Sequence, residues 1–223
     1  MQCLTPLLNV PLLAWTLESL AAGGCARAIL FTSRASHASI LRRWLSSLDG
    51  DDGNGAFRGM SCVVRSCADG STGALMRDTD AGSVLESRTT SFVLAHAGLL
   101  STLDLNRLTA DFEQRRKLDL NLCLEVVAAR QPQQGADKSK VDMRLGGDAH
   151  EHTFVVRRRS RTLVHYERQR PFPSRRVGLP KTVLEECSKD ADDVPVVERA
   201  LAPVGLCICS IEVRPLEASP TLL

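Results

Sequence analysis

Phe92-Val-Leu-Ala-His-Ala-Gly98 is the stretch on which the reading of this chain turns. Its continuous apolar run, Ser91 to Ala95, predicts a short strand covered on both faces. Where such strands alternate with helices, chemistry sits in the crevice beyond their carboxyl ends. A nucleotide-handling enzyme needs an Asp at that place, to hold a divalent metal against phosphate oxygens. Here the strand runs out into His96, Ala97 and Gly98, with no acid.

The surroundings supply the alternation. Pro11 to Ala22 carries Leu12, Leu13, Leu17 and Leu20 at helical spacing, with Gly23-Gly24 as a stop. Ala28 to Thr32 reads as a strand. Ser36 is a candidate cap for a second helix whose buried stripe is Ile40, Leu41, Trp44, Leu45 and Leu48. Asp49 to Gly55 is a polar loop. Met60 to Val64 reads as a strand, Ala74 to Leu85 as a helix. Asp104 starts another helix, holding Leu105, Leu108 and Phe112, and Asp119 to Val127 reads as a further strand. This β-α-β-α-β-α-β rhythm predicts an α/β fold: a three-layer, mostly parallel sheet flanked by helices, with right-handed crossovers.

The character changes after Ala129. Arg130 to Ala149 is polar and reads as a flexible insertion loop, residues 130–149. Thr153 to Val156 and Thr162 to Tyr166 predict a small antiparallel hairpin. Pro171 to Pro180 reads as a linker, and Pro203 to Cys209 as a buried strand.

Composition narrows the function. The 28 Lys+Arg nearly balance the 26 Asp+Glu, which argues against a direct nucleic-acid binder. The basic run Arg157-Arg-Arg-Ser-Arg161 reads as a solvated turn. None of the eight cysteines forms a CxxC pair, and several sit in apolar runs as small hydrophobes. No leader or bilayer-spanning run is visible, and the expected setting is the reducing cytosol, away from membranes.

Individual motifs are weak. Gly70-Ser71-Thr72-Gly73 precedes a helix and could cradle phosphate, but it lacks the lysine of a P-loop and reads more readily as a turn with an N-cap. His96 is a candidate general base with no nucleophile paired to it. Ala149-His-Glu-His152 could recruit a metal, though a polar loop favours exposure. Asp78 and Asp80 lie two apart on a helix and diverge, so they make no dyad. Arg115-Arg-Lys117 complements a helix C-terminus.

The ordered set of segments says more than any one of them. Leu4-Thr-Pro-Leu-Leu-Asn-Val-Pro-Leu-Leu-Ala-Trp-Thr-Leu-Glu-Ser-Leu20 resembles the start of the sugar-nucleotidyltransferase fold, and more narrowly the epsilon-subunit family of eukaryotic translation initiation factor 2B. Ser36 to Trp44 resembles that family's second helix. Ala74-Leu-Met-Arg-Asp-Thr-Asp-Ala81 resembles its "ALRDxDA" helix, and Ser91 to Leu105 its "FVLVxGDxVSNxDL" stretch. Glu113 to Lys117 resembles "EHxxRRK", Leu163 to Glu167 "LLHYE", and Cys207 to Val213 "ISICSPEV".

The resemblance implies a single nucleotidyltransferase-like domain over residues 1–223, truncated at both ends and lacking the family's first strand. It places the family's Gly-Asp metal site on Ala97-Gly98, where Gly98 has no side chain to ligate Mg²⁺, and leaves Gly70 to Gly73 as a remnant of the nucleotide loop. It therefore implies no catalytic residue, no metal and no cofactor. The role it implies is assembly: contacts with the gamma subunit and other subunits of initiation factor 2B, and with initiation factor 2 through the assembled exchange factor. The exchange activity itself would belong to a separate helical domain. The alternatives are an active or a nucleotide-sensing nucleotidyltransferase-like protein.

Overall fold

The computed structural model describes residues 2–48, 57, 59–67, 71, 74, 90–130, 152–168, 179–187, 192–198 and 201–212. The strands are β1 (Pro6–Leu7), β2 (Val10–Pro11), β3 (Arg27–Thr32), β4 (Ser61–Ser66), β5 (Ser91–Ala95), β6 (Leu124–Arg130), β7 (His152–Arg157), β8 (Leu163–Arg168), β9 (Pro195–Glu198) and β10 (Leu201–Ser210). The helices are α1 (Leu12–Ala22), α2 (Ala35–Ser46), α3 (Leu105–Leu118) and α4 (Lys181–Cys187). The chain is α/β and divides into two compact units. One comprises Met1–Val127 with Gly205–Leu223, the other Ala128–Val204.

The first unit opens with a feature too short for periodicity to reveal. β1 and β2 form a hairpin closed by Leu8 and Asn9, both at positive φ, 53° and 65°. That is the type I′ pattern, natural for Asn and strained for Leu. α1 follows directly and stops at Gly23, as its sequence predicts.

β3, α2 and β4 make a βαβ unit with parallel register, Ala28↔Cys62 through Thr32↔Ser66. Its core gathers Leu13 and Leu17 of α1 with Ala28, Ala38, Leu41, Met60 and Val64. Two details of α2 differ from expectation. The helix starts at Ala35 after Arg34, with no side-chain cap, so Ser36 lies inside it. Its buried face is Ala38 and Leu41, while Ile40 and Leu48 are exposed. Ala38 replaces the bulkier residues because a small side chain lets the helix approach the sheet closely.

A second sheet runs β5-β10-β6, with β10 antiparallel to β5 from Leu206↔Ala95 to Ser210↔Ser91. The other sides of β3 and β5 have no strand neighbour among the described residues. β5 has the bounds its sequence predicts. β6 does not: Asp119 ends α3 instead of starting a strand, and its carboxylate accepts from the Asn121 N–H at 3.0 Å. Asp satisfies backbone locally and so favours the turn.

α3 is capped by Asp104, whose carboxylate accepts from the Arg107 N–H at 3.1 Å. Its polar face is tied to the second sheet. Glu113 accepts from the hydroxyls of Thr90 and Ser91, both at 2.8 Å. Those hydrogen bonds, chiefly the one from Thr90, hold the Glu113 carboxyl below its ordinary pKa. Arg115 pairs with Glu125, and Arg116 meets Glu212 at 2.6 Å. Arg115 thus braces a strand and Arg116 ties down the turn after β10, and both complement the helix dipole.

The second unit holds an antiparallel sheet, β8-β7-β9, with α4 against β8. The β7–β8 hairpin fulfils its sequence signal. The basic turn between them is held by Asp193, which is buried and accepts from the N–H groups of Arg159 at 2.6 Å and Ser160 at 3.1 Å. Burial pushes the Asp193 carboxyl upward, but these hydrogen bonds outweigh it and leave its pKa lowered. Residues 131–150, and with them nearly all of the expected insertion loop, lie outside the described residues, as does most of the linker at 171–178.

Two outcomes follow for the first unit. A Cβ at Gly23 would lie 2.6 Å from the Leu105 Cβ, so Gly23→Ala is expected to destabilise it by about 1–3 kcal/mol, read from urea unfolding. Glu113 has a lowered folded pKa, so its contribution is present above the ordinary value of 4.5 and is lost as pH falls through the folded value. Glu113→Gln should flatten the stability-versus-pH curve over that acidic window, measured by thermal melts.

Candidate functional site

β5 delivers the chain into a tight turn at the place where an acid was sought. The Leu99 N–H donates to the His96 carbonyl at 3.0 Å, and the His96 N–H donates to the Gly205 carbonyl at 3.0 Å. Gly205 has φ 77°, and a Cβ there would lie 3.3–3.4 Å from His96 side-chain atoms. The imidazole therefore rests on bare backbone of β10. Among the described residues no nucleophile or carboxylate hydrogen-bonds it, and His96 itself is exposed.

Gly98 is exposed, and a Cβ built on it meets nothing within 4 Å. It is also not among the glycines with positive φ. Neither crowding nor backbone strain excludes a side chain here. The missing acid is thus a matter of residue identity alone.

α1 holds the loop beyond this turn. The Thr16 hydroxyl donates to the Leu99 carbonyl at 2.9 Å, and the Ser19 hydroxyl to the Ser101 carbonyl at 3.3 Å. Between α1 and this loop lies an open groove of about 460 Å³, lined by Trp15, Glu18, Ser19, Leu103 and Asp104 among others. Of its acids, Asp104 caps α3 by accepting from the Arg107 N–H.

The other sequence candidates do not converge on the strand end. Of Gly70 to Gly73 only Ser71 is described, and its hydroxyl accepts from the Ala74 N–H at 3.2 Å, as an N-cap does. Gly70, Thr72 and Gly73 lie outside the described residues, as do Asp78, Asp80, His150 and Glu151. His152 is described and joins an aromatic group: its Nδ1 lies 2.9 Å from the Tyr166 hydroxyl, and the two rings stack at 5.9 Å. No set of three or more His, Cys, Asp or Glu side chains is gathered for a metal among the described residues.

Cys3, Cys25, Cys62, Cys67, Cys123, Cys207 and Cys209 are free thiols. Burial, with Cys207 beside it, pushes the Cys209 thiol up to about 12, so it stays protonated at neutral pH. Cys3, Cys25 and Cys207 are likewise raised by burial. These are packing residues. No described helix is long and apolar enough to cross a membrane.

No family model matches the chain. Its sequence matches translation initiation factor eIF2B subunit epsilon of Schizosaccharomyces pombe at 24% identity over 166 residues, 74% of this chain and 22% of that protein. It matches the same subunit of Dictyostelium discoideum at 30% identity over 143 residues, 62% of this chain and 18% of that protein. This chain is similar to eIF2B epsilon. It spans about a fifth of the length of these curated epsilon subunits. Among solved structures, UDP-glucose pyrophosphorylase complexed with UDP-glucose aligns with TM-score 0.46 and 14% identity, covering 94% of this chain and 67% of that one.

The epsilon-like sequence and the open space at Gly98 set up a direct measurement. Gly98→Asp should change unfolding free energy by no more than about 0.5 kcal/mol, the usual range for a surface site. A larger loss in chemical denaturation would show that the glycine is demanded by structure.

Proposed function

We propose that residues 1–223 act as a single nucleotidyltransferase-like domain of the eIF2B epsilon kind, without transferase activity of its own. Its role is assembly, through contacts with a gamma-type subunit and the other subunits of an eIF2B-like exchange factor, and through that complex with initiation factor 2. The exchange reaction would reside in a separate helical domain. The setting is the cytosol, with no membrane or direct nucleic-acid contact.

The observation that carries this reading is Gly98. It lies in the turn just beyond β5, where an epsilon-like sequence would present a metal-binding acid, it has no ligating atom, and nothing in the packing forces it to be glycine. Phosphoryl transfer depends on positioning and charge neutralisation, for which the metal is central. Gly70 to Gly73 alone is a remnant that cannot supply it. His96 supports the same view, because no described nucleophile or carboxylate is paired with it at this turn.

The test has two arms. The tagged chain, expressed in eukaryotic cells, should co-purify with an eIF2B gamma subunit, and absence of that subunit from every preparation would sink the assembly role. The purified chain given UDP-glucose, pyrophosphate and Mg²⁺ should release no UTP. Turnover would overturn the non-catalytic reading.

A further inference from the structure

In the second unit, three buried polar atoms share one face of a sheet and have no hydrogen-bond partner: Thr153 Oγ1, His165 Nε2 and Glu167 Oε2. Strand alternation and register explain why they share it. Thr153 stands opposite Glu167, and Val155 opposite His165. Alternate residues on a strand project to the same side, so Thr153, Val155, His165 and Glu167 line one face. The aromatic residues His152, Phe154 and Tyr166 occupy the other.

Chance is a poor account of this clustering. Buried polar groups are almost always satisfied, and each exception calls for a reason such as a bound water or ion. Thr153 is fully buried at 0% exposure, so its hydroxyl has no recourse to bulk solvent. The three atoms have one chemistry in common, since each can present a lone pair. Glu167 Oε2 is also a carboxylate oxygen, the kind of atom that needs a cation when it is ionised. A neutral water would satisfy the hydrogen bonds and leave that charge uncompensated; a cation answers both.

We propose that His165 Nε2 and Glu167 Oε2 chelate a divalent transition-metal ion of the zinc class, with the Thr153 hydroxyl bonded to a water that completes the shell. Imidazole nitrogen with carboxylate oxygen is the donor pair that zinc and its neighbours favour over magnesium or calcium. Placed two apart on a strand, they reach from the same face, about 6.5–7 Å apart at the backbone. The role of the site is structural: it pins β8 to β7.

The test uses the full chain. Titrated with Co²⁺, it should take up one ion with the absorption of nitrogen and oxygen ligands and without sulfur-to-cobalt charge transfer. His165→Gln and Glu167→Gln should each weaken that binding by at least about tenfold, the effect expected even for an outer-shell partner. Because either variant could also disturb the sheet, the parent chain carries a second readout: Zn²⁺ should shift the His165 Nε2 resonance in nitrogen-detected NMR. An unshifted resonance at saturating Zn²⁺, binding through thiolates alone, or equal affinity in folded variants would each overturn the proposal and assign the three atoms to buried water.

Discussion

Helix α1 is the strut on which the first unit depends, and it works by two kinds of contact along one cylinder. Leu13 and Leu17 are buried in the core shared with β3, α2 and β4. Thr16 and Ser19 turn their hydroxyls to the carbonyls of Leu99 and Ser101, in the loop beyond β5. At its end, Gly23 lets Leu105 come close enough that no Cβ would fit between them. Apolar burial supplies the favourable free energy, and the hydroxyl bonds fix where the loop lies. The turn at Gly98 inherits its position from that arrangement.

The strand end beyond β5 is held firmly by α1. His96 packs on Gly205, Gly98 offers open space, and the nearby hydroxyls of α1 are committed to carbonyls. The same economy appears along α3, where Glu113 and Arg115 brace strands and Arg116 ties down the turn after β10. Charged residues that a sequence motif makes conspicuous serve here as ties between elements.

Much of this was legible in the chain itself. Periodicity placed α1, β3, β5 and α3, and the Gly23-Gly24 stop and Asp104 cap act as read. So did the β7–β8 hairpin and its basic turn. These signals are local: apolar spacing and capping chemistry are written within a few residues of where they act. The missing acid at Gly98 is local too, and needed only residue identity.

What required tertiary structure was every feature made by distant partners. The reach of Asp193 to the Arg159 turn, the rest of His96 on Gly205 and the brace from Glu113 to Thr90 each join segments tens of residues apart. The β1–β2 hairpin escaped because two-residue strands have no period to detect. The buried face of α2 turned out smaller than its bulk suggested, since close approach to a sheet favours Ala38 over Ile40. Thr153, His165 and Glu167 became a group only when strand register set them on one face. Sequence by itself determined the local elements and the absent acid; folding decided which polar groups face one another, because register and packing are properties of pairs of segments, not of either one.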